Sequence, residues 1–428
     1  MLSSRTRRTD TDVVIIGGGP AGLATAHRLH SAGLAVTVLE AAPRIGGRLV
    51  TDHRDGFRLD RTSQLAFPDS PALAQLPRRI PLRRLTGGVQ LHGAGPTTRL
   101  GATPDAPETN ADADADASAD VASFDQLWLR ANLARLGRLP DEQLGARPEV
   151  TAAEALTSRD IPARIAEEIL RPLLAALLHD PELATSSRLG DTVLRAFARR
   201  GLALAEGGAA TLPEALAAQL PPDAIRTGVR VTSAATTVVE TESHGAFRCR
   251  AVVVATGAAT AARLLPGLRM PRFHQMTVLH HAAPALPVTG PALLVEAGAR
   301  GPVAHTMAAS AADPTRAPAG LTLVTSVVLG PQAAEPADLL DKAARPQLGE
   351  LYGVAADDWR LLATHHDPWA VPVLPPTHPG RRPVRLLDGL YVCGDHRDTP
   401  GITGDLASAH RTTQALLTDL DLPTPHAA

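Results

Sequence analysis

Residues 11–48 read TDVVIIGGGPAGLATAHRLHSAGLAVTVLEAAPRIGGR, and this stretch decides how the rest of the 428-residue chain is read. Val13, Val14, Ile15 and Ile16 are an unbroken apolar run of β-branched residues, the pattern of a strand buried on both faces of a parallel sheet. Glycine ends it. Gly17, Gly19 and Gly22 fall in G-x-G-x-x-G register, which permits a tight turn, a close backbone approach to a pyrophosphate and close packing of the next helix. Pro20 and Ala21 open that helix, where a missing N–H costs no intrahelical bond, and the helix start favours an anion. Gly33 closes the helix and residues 36–39 give a second buried strand. Glu40 stands at its end, placed to accept hydrogen bonds from ribose hydroxyls and to disfavour a 2′-phosphate. A lone glycine fingerprint can mark nothing more than a tight strand-to-helix turn. Here strand, glycines, helix, second strand and terminal acid occur in order, which selects dinucleotide binding.

Residues 40–48, Glu40-Ala41-Ala42-Pro43-Arg44-Ile45-Gly46-Gly47-Arg48, resemble the E-A-x-x-R-x-G-G-R signature of the FAD-binding amine oxidase, protoporphyrinogen oxidase and carotenoid desaturase superfamily. The resemblance implies FAD rather than NAD. Arg44 and Arg48, bracketing Gly46 and Gly47, can neutralise a diphosphate while the glycines let the ribityl chain pass close to the backbone. Other segments carry the same likeness. GGAATLPEAL at 207–216 looks like a protoporphyrinogen oxidase segment, HDPEL at 179–183 is similar to another, and Val229 matches the valine laid against adenine. HHDPWAVP at 365–372 resembles the segment beside the flavin, and the closing strand with Gly394 and Asp395 precedes a final helix start carrying Gly404, Asp405 and Leu406. All five of those residues and Val229 are implied to be cofactor-binding. The resemblance puts the flavin approach at Gln64 and Leu65, although Thr62 and Ser63 depart from the glycine the superfamily usually has after Phe-x-x-Asp. Asp405 replaces a usual alanine, and its side chain is expected to point away from the ring. Thr403 is expected to cap the last helix.

The net charge of −2 gives no basic excess for nucleic acid and no polybasic run for an anionic membrane. No apolar run approaches a transmembrane length, and Arg5, Arg7 and Arg8 precede an apolar run too short for a signal peptide, so a cytoplasmic protein is expected. Two cysteines fit a reducing compartment. No H-E-x-x-H, C-x-x-C or G-K-[ST] occurs, and His280-His281 and His365-His366 are badly spaced as metal ligands, so no metal is expected. No cysteine or histidine is convincingly placed for attachment, which implies non-covalent FAD.

The expected fold is α/β: a Rossmann-like FAD-binding domain in three pieces (10–66, 205–265 and 385–424) with an inserted α+β substrate domain (67–204 and 266–384). Residues 102–120, rich in Ala-Asp repeats, read as a flexible acidic insertion. An apolar stripe predicts a helix over 160–178, capped by Asp160 and kinked at Pro172. Residues 225–231 read as one strand, and strands are expected near 276–281, 292–295 and 321–329.

The expected activity is FAD-dependent oxidation of a bulky, largely apolar small molecule, like that of protoporphyrinogen oxidases or desaturases, with oxygen as the expected electron acceptor. Amine oxidation is the first alternative. The superfamily's amine oxidases commonly keep a lysine near the flavin, whereas Lys342, the only lysine, lies in no flavin-side motif. A flavoprotein with non-redox FAD is the alternative of another class. The residues single out neither a catalytic base nor an oligomeric state.

Overall fold

A computed structural model describes residues 10–423, apart from 64, 94, 102–117, 288–289, 299, 378–379 and the side chains of 118–123. The opening run is the strand Val13–Ile16, with all four residues buried. It pairs in parallel with Val36–Leu39 on one side and Ala251–Val254 on the other. Leu390–Val392 continues the parallel sheet, Ile225–Arg226 closes one edge, and Arg385–Leu387 adds an antiparallel edge. Alternation along the strand explains its unbroken hydrophobicity. Val13 and Ile15 join the cluster of Leu23 and Leu29 from helix Pro20–Ser31 and of Leu416 from helix Ile402–Asp419. Val14 and Ile16 join Val239 and Phe247 of a small antiparallel sheet on the other face.

The second large sheet has seven strands, with Phe273–Pro284 between Leu321–Leu329 and Arg360–Pro372. Leu293–Glu296 joins it in parallel to Val89–His92, which brings residues from both sides of the 205–265 segment into one sheet. A helical layer built from Ser118–Arg138, Ala152–Ser158 and Ser187–Arg200 buries Leu129, Leu156 and Phe197 in a core shared with this sheet. Thr151 and Glu154 start the middle helix with a reciprocal capping box.

Two local expectations are corrected. The stripe at 160–178 does not start at Asp160. Ala166 N–H donates to the Pro162 carbonyl, a wide π-type segment runs over Ile165–Leu170, and an ordinary helix resumes at Arg171–Leu178. The wide turn precedes Pro172, so the residue without an N–H stands in the first turn of the resumed helix. The strand at 225–231 is two pieces, Ile225–Arg226 and Val231–Ala234. Gly228, at φ +72°, turns the chain between them. The acidic insertion lies outside the described residues up to 117, and its last three positions already belong to helix Ser118–Arg138.

Gly22 fixes the first helix against its strand. A Cβ there would lie 2.0 Å from the Gly17 carbonyl oxygen, so only glycine permits the approach. Gly22→Ala is therefore expected to lower unfolding stability by about 1–3 kcal/mol, the cost of forcing atoms into a packed site. Urea denaturation of the FAD-free protein measures it, and an unchanged midpoint would contradict the packing argument.

Candidate functional site: a dinucleotide cleft

Glu40 is held before any ligand arrives. Its Oε2 accepts from Gly18 N at 2.6 Å and its Oε1 from Ala42 N at 2.8 Å, so two backbone donors fix the carboxylate at the end of its strand. A charged acceptor pinned this way keeps lone pairs for the ribose at small entropic cost. Val229, buried, donates its N–H to the Glu40 carbonyl at 2.8 Å, which sets the expected adenine-side residue beside the expected ribose ligand.

The glycines form a cradle. A Cβ on Gly19 would meet only Gly47 Cα, at 3.8 Å, so the backbone over the helix start is approachable. Gly46 and Gly47 take φ +121° and +56°, and Gly46 N–H donates to the Gly18 carbonyl, so the Gly-Gly turn lies against the glycine loop. Pro20 and Ala21 begin the helix, both buried. Helix-start N–H groups without intrahelical partners, glycines without Cβ and a fixed ribose acceptor fit a dinucleotide such as FAD.

Both arginines are also engaged within the protein. Arg44 is ion-paired with Asp52. Arg48 places Nη2 2.6 Å from Asp395 Oδ2 and donates through Nη1 to the Ala370 carbonyl at 2.7 Å. Both guanidinium charges therefore have carboxylate partners within the protein, and Arg48 ties the first motif to the last. Asp395 is held further by Gly401 N–H, and its own N–H donates to Asp405 Oδ1 at 2.8 Å. Burial, then the neighbouring Asp395, pushes the Asp405 carboxyl up to about 7 against the pull of Arg48. The Asp405 side chain is thus turned toward the Asp395 backbone. Gly394 N–H donates to Ser408 Oγ.

Other expected residues act in packing. A Cβ on Gly404 would fall 1.6 Å from the Thr399 carbonyl oxygen, so this glycine allows the last helix to start against the preceding loop. Thr403 does not cap that helix: the cap position is Gly401 at φ +81°, with no side-chain bond. Leu406 lies in the core cluster with Leu23, whereas Leu65 packs on the helical layer. Gln64 lies outside the described residues. Ala41 stays half-buried beside Glu40.

Several buried polar groups were not singled out in the sequence. His396 follows Asp395, is buried with both ring nitrogens lacking a hydrogen-bond partner, and is driven by burial down to about 4. Ser63 lies 3.4 Å from His305 Nε2, and the His305 ring faces His179 at 5.4 Å. Thr62, beside Ser63, donates to the Arg48 carbonyl, which links this group to the cleft. Only the tertiary fold brings these residues together. The first histidine pair is buried: His280 bonds to Thr325 and to the Asp60 carbonyl, and His281 to Asp341, whereas His365 is half-buried and His366 exposed. Among the described residues no group of histidine, cysteine and acidic side chains is arranged to hold a metal, and no helix is long and apolar enough to cross a membrane.

A family model described as flavin containing amine oxidoreductase matches residues 20–417. Among curated proteins, a putrescine oxidase of Kocuria rosea is 42% identical over 80 residues, 18% of this chain and 17% of its own length. The lysine-specific histone demethylase 2 of Homo sapiens is 65% identical over 54 residues, 12% of this chain and 7% of its own length. The chain spans less than a fifth of these relatives. Among solved structures, a cyclohexylamine oxidase from Brevibacterium oxydans superposes with TM-score 0.68 at 19% identity, over 96% of this chain and 100% of that one. A protein from Exiguobacterium sp., provisionally named a protoporphyrinogen oxidase, gives TM-score 0.67 at 18% identity over 97% and 100%. At such identities the likeness is one of fold.

Two outcomes follow from the cleft geometry. Glu40→Ala removes a charge-assisted acceptor and should weaken FAD binding by about 1.5–3 kcal/mol, roughly tenfold to a hundredfold in Kd, measured by flavin fluorescence titration of the FAD-free protein. Unchanged affinity would remove Glu40 from the site. For Asp405 the folded carboxyl lies above its ordinary 3.8. The folded state thus holds the proton more tightly than the unfolded chain, and stability falls as pH rises from about 4 to about 7. Asp405→Asn should raise the Tm of the FAD-free protein at pH 8 and leave it nearly unchanged at pH 4. Equal shifts at both pH values would contradict this.

Proposed function

Taking as premise that the chain belongs to the flavin containing amine oxidoreductase family, we propose that it dehydrogenates a bulky, largely apolar small molecule with FAD held without a covalent bond. FAD, when bound, supplies the hydride acceptor, and the protein supplies binding and orientation. Glu40 and the glycine loop would hold the adenosine and pyrophosphate, while Arg48 and Asp395 brace the opposite wall.

The observation that carries the apolar reading is the location of the groups an amine site would use. Lys342 is exposed on helix Ala337–Tyr352. Tyr391 is buried in the parallel sheet, and the Tyr352 hydroxyl bonds to Thr306 while its ring packs on Trp359. Neither tyrosine is spare for an aromatic cage. Carboxylates that could meet an ammonium already have partners: Asp60 binds Arg316 at 2.6 Å together with Thr51, and Asp180 accepts from Glu182 and Thr185 N–H groups. Burial holds His280 near 4 and His305 well below its ordinary value, so both rings are neutral at pH 7. Neutral surroundings with matched carboxylates suit an uncharged C–H donor better than a cation. Oxygen is the proposed electron acceptor, because the one complete dinucleotide fingerprint is taken by FAD. Amine oxidation is the second reading, favoured by the similarity to putrescine oxidase over a short stretch.

Anaerobic mixing with a substrate panel tests the proposal. A porphyrinogen or another bulky apolar donor should bleach the flavin, and putrescine and benzylamine should not. Rapid bleaching by either amine would favour the second reading, and reduction by no donor would favour a non-redox role for FAD. Photoreduced protein should reoxidise in air with release of hydrogen peroxide, and NADH should not reduce it.

A further inference from the structure

The helical layer carries an open cleft of about 410 Å³ whose lining comes entirely from residues 128–194, so it shares no residue with the dinucleotide cleft. One side is apolar, with Leu133, Leu136, Ile161 and Leu194 among its lining residues. The other is built around Asp191, whose side chain is 5% exposed. Arg159 binds both Asp191 oxygens, at 2.7 and 3.0 Å, and Arg147 adds a third contact at 3.0 Å. Two guanidiniums converge on a single carboxylate, and Arg135 also lines the cleft. Among the described lining residues, Asp160 and Asp191 stand against these three arginines, which leaves one positive charge, with Arg135 exposed at the mouth of a mainly apolar cleft. The apolar surface continues outward: Phe124, one turn before the lining residue Trp128 on helix Ser118–Arg138, is 58% exposed.

We propose that this cleft in the helical layer is a second binding site, for a small amphipathic monocarboxylate. An anion would complete the charge balance of the arginine group, planar guanidiniums match a carboxylate, and the leucine-rich wall takes the hydrocarbon. Convergent polar groups in a mainly apolar concavity of this size are the ordinary features of a small-molecule site. At about 30 Å³ per water-sized group, the space holds roughly a dozen non-hydrogen atoms. Decanoate has that size. A cation would meet the unmatched arginine charge, and a neutral alcohol would leave it uncompensated.

Isothermal titration of the FAD-loaded protein with decanoate, decylamine and decanol tests the site. Saturable binding of one decanoate per chain is expected, with decylamine and decanol at least about tenfold weaker, the usual worth of one charge-assisted bond. Leu133→Trp should abolish decanoate binding by filling the space, and Arg135→Glu should weaken it about tenfold. Both variants should keep the wild-type ratio of flavin absorbance to protein, which separates loss of this site from loss of the flavin fold. Absence of saturable decanoate binding to the wild type, equal binding of decylamine, or unchanged affinity in Arg135→Glu would each overturn the proposal, and the last holds even if Leu133→Trp does not fold.

Discussion

No side chain can stand between Gly22 and the Gly17 carbonyl, and the dinucleotide cleft depends on that constraint. The missing Cβ lets helix Pro20–Ser31 begin directly on the end of its strand, so its free N–H groups point to where the second strand delivers Glu40. The Gly18 N–H then fixes the carboxylate, and the Gly46–Gly18 backbone bond folds the next motif over the loop. A larger residue at either glycine would move the helix start and the acid apart. Binding geometry and fold stability therefore rest on the same few atoms.

A second tie closes the cleft from far away in sequence. Arg48 bonds to Ala370 in the long strand of the second sheet and to Asp395 after the last strand of the first. Three stretches of chain thus converge on one guanidinium. Its charge is partly desolvated, which makes the close partner Asp395 necessary rather than decorative: removing Asp395 would leave a buried charge short of its match. The raised Asp405 carboxyl is the other side of that arrangement, since two acids share one nearby cation.

Much of the first sheet was legible because its signals are local. Four β-branched residues, three glycines in register and an acid at a strand end each carry a backbone requirement within a few positions. Strand Leu321–Leu329 was equally plain as a run rich in β-branched residues. What escaped depended on competition or on distance. Asp160 is a good cap residue, but Pro162 supplies the first helical carbonyl bond. Thr403 lost the cap to Gly401, whose positive φ turns the chain into the helix. The partners of Arg44 and Arg48 could not be read, because a motif shows which charge is present and not which carboxylate the fold brings to it. Ser63, His179 and His305 lie far apart in sequence and meet only through the second sheet and the helical layer.

Glu40, Val229 and the glycine loop all act on the adenosine half of the cofactor, so binding of that half tests their joint role most directly. FAD-free protein titrated in parallel with FAD and FMN, followed by flavin fluorescence, isolates that half. Saturable, one-to-one binding of FAD with FMN weaker by at least about a hundredfold, the loss of two charge-assisted contacts, is the predicted result. FMN binding as tightly as FAD would show that the strand–glycine–acid unit does not hold the nucleotide, and would contradict the central claim.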